Sequence, residues 1–119
     1  MVITNYAKEQ VALRIGSDIS SPLNMVIGTG STAATITDIA LGSEVDKQVF
    51  TNVNMSGAQT IIFQGDWNSV EMSGIQLAEW GITSNAVAAT GSIWSRQAFD
   101  PITFDGTNEL QIEETWEVY

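Results

Sequence analysis

The side chains that could do chemistry in this chain are carboxylates, because the sequence contains no histidine and no cysteine. The missing histidine removes the usual general base and the commonest metal ligand. Glu113 and Glu114 are adjacent carboxylates, but neighbouring residues of a strand point to opposite faces. Glycosidases need two carboxyl groups that face each other across the bond they cleave. We therefore expect no catalytic site and no cofactor.

The glycine-rich segment Gly28–Ala33 follows the letters of a dinucleotide-binding fingerprint. That fingerprint works only where a strand leads through the turn into a helix whose N-terminus meets the phosphates. The next residues, Thr35 to Thr37, favour extended structure instead. A plain turn is the better interpretation.

Oxygen ligands for calcium are present near the C-terminus, at Asp100, Asp105, Asn108 and Glu109. Their spacing does not follow that of an EF-hand loop. The pair Asp105-Gly106 is typical of a tight hairpin turn, here joining a strand at Pro101–Phe104 to the last strand. We expect no metal site.

The last strand has a clear period of two. Its apolar residues alternate with polar ones, which predicts one buried face and one acidic, solvated face. Such strands belong to antiparallel sheets. The alternating sets are Leu110, Ile112, Trp116 and Val118 on one side and Gln111, Glu113, Thr115 and Glu117 on the other. We expect the first set to be structural core, together with Trp80.

Glu114 falls on the apolar face of that strand, between Ile112 and Trp116. A buried carboxylate needs a partner, and the only basic residues are Lys8, Arg14, Lys47 and Arg96. Arg96, which also lies in a predicted strand, is the candidate for a buried ion pair with Glu114. A bulge that turns Glu114 out to solvent is the alternative.

The pattern of the whole chain predicts an all-β fold, an antiparallel β-sandwich or barrel with a short N-terminal helix. The 119 residues form one domain, with residues 1–16 as an N-terminal helix or arm. The helix is expected at Thr4–Ile15, capped by Thr4 or Asn5. One or two helical turns are expected within Thr37–Val45. The predicted strands are Asn24–Gly28, Lys47–Met55, Gln59–Trp67, Gly74–Thr83 and Gly91–Phe99, with turns at Ser56-Gly57 and loops at Ser17–Pro22 and Ser84–Thr90.

The charge balance excludes several classes of partner. The formal net charge is −10, and no basic residue follows Arg96. Phosphate neutralisation needs clustered Lys and Arg, so we expect no nucleic-acid partner and no anionic membrane surface. No apolar run approaches the ~20 residues of a membrane span, and Met1–Ile15 does not resemble a signal peptide. The chain is therefore expected to be made in the cytoplasm.

Three segments, in order, resemble tail-collar-type modules of tailed bacteriophages. The first is Val26–Ser31 followed by Ile39–Val45, which is similar to a "GxG… L-x-x-E-V" opening. The second is Gly74–Ile82, similar to a strand in which a Glu and a Gly flank an aromatic or aliphatic residue. The third is Ile93–Ile102, similar to an "R-x-x-F-x-P-I" strand. No fibre shaft or receptor-binding tip follows the matched segments in this sequence.

The resemblance implies a non-enzymatic structural protein of the virion. A stand-alone copy would be a capsid decoration or cement protein, expected as a homotrimer on the major capsid protein. A tail fibre or baseplate adaptor, bound to tail or baseplate proteins, is an alternative. A carbohydrate-binding module that recognises the host surface is another, for which Trp67, Trp80, Trp94 and Trp116 would have to expose their rings.

Overall fold

The computed structural model describes residues 1–8, 11, 22, 24–55, 59–84 and 93–117. Antiparallel strands dominate this part of the chain. They are β1 (Val2–Ile3), β2 (Asn24–Gly28), β3 (Glu44–Val49), β4 (Asn52–Met55), β5 (Thr60–Trp67), β6 (Gln76–Thr83), β7 (Ile93–Thr103) and β8 (Leu110–Glu117). A short helix at Ser69–Met72 connects β5 to β6 and has a complete capping box between Asn68 and Glu71.

The strands form two sheets that pack face to face. The five-stranded sheet has the order β1-β7-β6-β2-β3, and the three-stranded sheet has the order β4-β5-β8. Side chains from both sheets, among them Met25, Ile27, Leu77 and Ile112, share one buried core. This confirms the predicted all-β, sandwich-like antiparallel fold. Helices in the described residues are all too short to cross a bilayer.

The N-terminal segment is part of the domain's own sheet. Val2 and Ile3 pair with Arg96 and Ser95 of β7. Thr4 is fully buried, its hydroxyl donates to the carbonyl of Ile93 at 2.7 Å and accepts from the N–H of Ala7 at 3.1 Å. Thr4 thus caps a helical turn at residues 5–8.

These bonds hold residues 2–4 to the domain's own sheet, so the interpretation of the N-terminus as an arm is wrong for these three residues. The predicted cap at Thr4 is confirmed by its bond to Ala7. The rest of the predicted helix, apart from Val11, lies outside the described residues, as does the turn at Ser56-Gly57.

β8 shows the predicted alternation. Ile112 is buried and Leu110 and Trp116 are half-buried, whereas Gln111, Glu113, Thr115 and Glu117 are exposed. β8 pairs with β5 over its full length without a register shift. Trp80 is half-buried and packs against the core. Val118 lies outside the described residues.

Three local predictions need correction. Asp105-Gly106 does form a turn, with Gly106 at a φ of 92° and the Asp105 carboxylate accepting from Thr107. The turn is not a hairpin, because β7 and β8 belong to different sheets. The predicted strand Lys47–Met55 is divided into β3 and β4, which also lie in different sheets. No helix forms in 37–45, where the chain instead covers the outer face of the larger sheet.

Candidate functional site

The larger sheet carries a buried charge cluster on its outer face. Glu79 of β6 is fully buried and Arg96 of β7 is 2% exposed. The two residues lie on adjacent strands, beside Gly81, which is the register partner of Arg96. Arg96 Nε donates to Glu79 Oε1 at 3.0 Å, which makes a buried, hydrogen-bonded ion pair.

Glu79 also holds the segment 29–43 onto the sheet. Its carboxylate accepts from the backbone N–H groups of Gly30 at 2.7 Å, Gly42 at 2.8 Å and Ser43 at 2.8 Å. A Cβ at position 30 would lie 2.5 Å from Glu79 Oε2, so only glycine allows this approach. We call this arrangement, Glu79 and Arg96 with the three N–H groups, the loop clamp.

Arg96 extends the loop clamp to the middle of the same segment. Its Nη2 donates to the carbonyl of Thr32 at 2.7 Å, and its Nη1 forms an ion pair with Asp38 at 3.1 Å. Partial burial works against ionisation of Asp38, but hydrogen bonds from Thr35 and the contact with Arg96 lower its pKa below the usual range. Leu41 packs beneath the segment against Val26 and Ile93.

Arg96 therefore does not pair with Glu114, and that prediction is wrong. Thr83 of β6 pairs with Ile93 of β7, and the preceding Ile82 pairs with Ser95. Trp94 is therefore an extra residue in β7 at this point. Ser95 consequently points between the sheets and donates to Glu114 Oε2 at 2.6 Å, while Arg96 points to the opposite face. The alternative, a bulge that exposes Glu114, is also wrong, since Glu114 is 5% exposed.

Glu114 is a buried carboxyl group with no basic partner in the described part of the chain. Trp116 Nε1 and Ser95 Oγ both donate to its Oε2, and its Oε1 has no partner there. Burial raises the pKa of Glu114 above its usual range, and the hydrogen bonds from Ser95 and Trp116, together with the positive charge of the N-terminus, only partly oppose this. Glu113 points to solvent, so the expected opposite orientation of the two carboxylates is confirmed.

The buried carboxyl group makes stability depend on pH. Because the pKa of Glu114 is raised in the folded state, the folded state binds a proton more tightly than the unfolded state does. The protein therefore loses stability as pH rises from the unfolded-state pKa to the folded-state pKa of this group.

We expect Glu114→Gln to remove this loss, so that the variant gains stability relative to the native chain as pH rises. Urea unfolding at pH 5 and pH 8 measures it. Glu113→Gln, exposed on the same strand, is the control, and equal pH slopes for the native chain and Glu114→Gln would contradict the assignment.

The remaining predicted residues are dispersed. Asp105 is committed to its turn, and among the described residues no three carboxylates are grouped to hold a metal ion. The segment after Gly28 leads into a turn and not into a helix, so no helix N-terminus faces it. Trp67 and Trp94 are buried and offer no ring face to a sugar.

The loop clamp was missed at the sequence level, although Arg96 was correctly expected to have a buried partner. The available signal was Glu79 itself, a single acid within the otherwise apolar run Leu77 to Ile82. A strand of this kind is covered on both faces, so the acid must be buried and must have a partner.

Comparison with known proteins adds no relative to this picture. No protein-family model matches the sequence, and no curated protein matches it.

Proposed function

We propose that this protein is a non-catalytic structural component of a tailed-bacteriophage particle, and that it acts by binding other virion proteins as a capsid decoration or cement protein. The observation that carries the proposal is the outward presentation of apolar side chains by the segment 29–43, which the loop clamp holds on the sheet through hydrogen bonds. Ile36 and Ile39 are 51% and 64% exposed. Their carbonyl groups accept hydrogen bonds from Asn5 and Ile93.

Such a surface is suited to binding a protein. The backbone of Ile36 and Ile39 is already ordered, so association loses little conformational entropy. Exposed aliphatic side chains that are held in place gain free energy when a partner covers them. The charged residue between them, Asp38, is ion-paired with Arg96, and charged residues are depleted in the cores of protein interfaces.

The residues of the loop clamp are also the ones that carry the resemblance to tail-collar-type modules. Gly30, Gly42 and Ser43 belong to its first segment, Glu79 to its second and Arg96 to its third. The contacts among them give a physical reason for that spacing: the glycines admit the Glu79 carboxylate, and Arg96 neutralises it. The resemblance therefore rests on residues that contact one another in the fold, and these residues also hold the proposed binding surface in place.

In the proposed role the partner is the major capsid protein, and the protein is a homotrimer at local three-fold positions of the head. It is made in the host cytoplasm and resides in the virion. Bound copies stabilise the shell because they bind only the assembled state. An adaptor role at the tail fibre or baseplate uses the same surface with a different partner.

The ratio of this protein to the major shell protein in purified particles separates the two roles. A copy number similar to that of the shell protein supports the decoration role, whereas a few copies per particle support the tail role. Absence from purified particles contradicts the virion assignment altogether.

We further expect an Ile36→Asp, Ile39→Asp double variant to fold normally but to fail to rebind particles stripped of the native protein. Charged side chains at these positions would have to be desolvated on binding. Val70→Asp, at a residue that is 82% exposed on the short helix, is the matched control. Sedimentation of variant with stripped particles measures rebinding, and heating of the reloaded particles tests shell stabilisation. Full rebinding by the double variant would show that the segment is not the interface.

A further inference from the structure

Among the described strands, three of the four at the edges of the two sheets are too short or too irregular to extend a sheet. β1 has two residues and β4 has four. β3 carries Lys47 and has a register shift beside Gly28, both of which discourage pairing with another chain. β8 differs, because it has eight residues and a regular register with β5. In the described part of the chain its other edge has no strand partner.

Two apolar clefts adjoin β8, and each is lined by residues of β8 and of the larger sheet. One has a volume of about 630 Å³ and includes Ile3, Val11, Trp94 and Trp116 in its lining. The other has a volume of about 650 Å³ and includes Trp80, Phe99, Ile102 and Leu110. Ile102 is 53% exposed. A strand added beside β8 would bury its inward side chains in these clefts, as in β-strand addition.

The outward face of β8 defines the charge of the occupant. Glu113 of β8 and Glu109, which immediately precedes the strand, are exposed, and within the described residues neither has an ion-pair partner. Lys8 lines the first cleft, and no basic residue lines the second, where Glu113 lies. Two β8 strands placed edge to edge would therefore bring acidic faces together, and like charges across strands destabilise pairing. A second copy of this chain is the wrong occupant on these grounds.

We infer that the open edge of β8 binds an extended segment of another protein in which apolar residues alternate with basic ones. The apolar residues fill the two clefts, the basic residues lie beside Glu109 and Glu113, and the backbone continues the three-stranded sheet. The inference rests on the proposed function only for the identity of the partner, which would be a virion protein. The binding edge itself is argued from β8 and the two clefts.

Synthetic eight-residue peptides test this surface without any particle. One alternates Val or Ile with Lys and Thr, and its counterpart replaces each Lys with Glu. Binding to the full chain is followed by tryptophan fluorescence and by isotope-edited infrared spectroscopy of the added strand. We expect the Lys peptide to bind at least about fivefold more tightly than the Glu peptide, since each opposite-charge pair across strands favours pairing. A Glu109→Lys, Glu113→Lys double variant should reverse that order.

Ile102→Asp places a charge in one cleft and should weaken binding of the Lys peptide by about tenfold or more. Val53→Asp, on the opposite edge strand β4 and also about half exposed, should leave binding within about twofold. Binding that is independent of peptide charge, or absent, overturns the inference. So does a dimer in sedimentation that Ile102→Asp dissociates, because the occupant would then be a second copy. None of these three outcomes depends on whether the protein is found in purified particles, so the proposed function is tested separately.

Discussion

Replacing Glu79 with alanine is expected to reduce the free energy of unfolding by about 3–5 kcal/mol, the usual effect of breaking a buried ion pair. The substitution leaves the guanidinium of Arg96, which is 2% exposed, with Asp38 as its remaining carboxylate partner. It also removes the acceptor for the N–H groups of Gly30, Gly42 and Ser43. Since single domains have stabilities of about 5–15 kcal/mol, the variant should approach its unfolding threshold.

Urea unfolding followed by tryptophan fluorescence measures this loss. Glu79→Gln retains an acceptor oxygen without the charge and is expected to be less damaging than Glu79→Ala, which keeps the comparison informative if the alanine variant does not fold. Glu113→Ala removes an exposed carboxylate and should change stability by less than about 0.5 kcal/mol. Equal stability of Glu79→Ala and Glu113→Ala would contradict the role of the loop clamp.

The second large effect is expected at Trp67, which joins the two sheets. Its ring is 1% exposed in the shared core, and its Nε1 donates to Asp46 of β3 at 2.9 Å. Trp67→Ala removes the ring and leaves a cavity, so we expect a loss of about 3–5 kcal/mol. Thermal unfolding by circular dichroism measures it.

Trp67→Phe separates packing from hydrogen bonding, because it retains most of the ring volume but not the indole N–H. We expect it to be clearly less damaging than Trp67→Ala, with a loss of about 1.5–3 kcal/mol from the bond to a charged acceptor plus a smaller packing term. Val70→Ala, at an exposed position, is the control and should be nearly neutral. If the phenylalanine variant were as unstable as the alanine variant, packing would not be the main contribution of Trp67.

Much of the fold could be predicted from local periodicity. The strand Asn24–Gly28 was predicted with the bounds that the structure shows, and the buried face of β8 followed from its alternation. These features depend on which residues neighbour each other along the chain, and that information is contained in a single sequence.

What could not be predicted depends on which strands meet in space. Asp105-Gly106 has hairpin chemistry, yet β8 leaves β7 and pairs with β5. The partner of Arg96 was misassigned for a similar reason. The residue inserted beside Ile82 decides whether Arg96 points towards Glu114 or towards Glu79, and a register shift of one residue reverses the direction of every following side chain.

The order of the strands also has a consequence for synthesis. Val2 and Ile3 pair with residues 95 and 96, and β5 pairs with β8 near the end of the described chain. Neither sheet can therefore be completed before β7 and β8 have been synthesised. Contacts so distant in sequence slow folding, and until then β1 and the edges of β5 and β6 lack their partner strands and are exposed to aggregation. We expect the nascent chain to depend on chaperones until Glu117 has left the ribosomal tunnel.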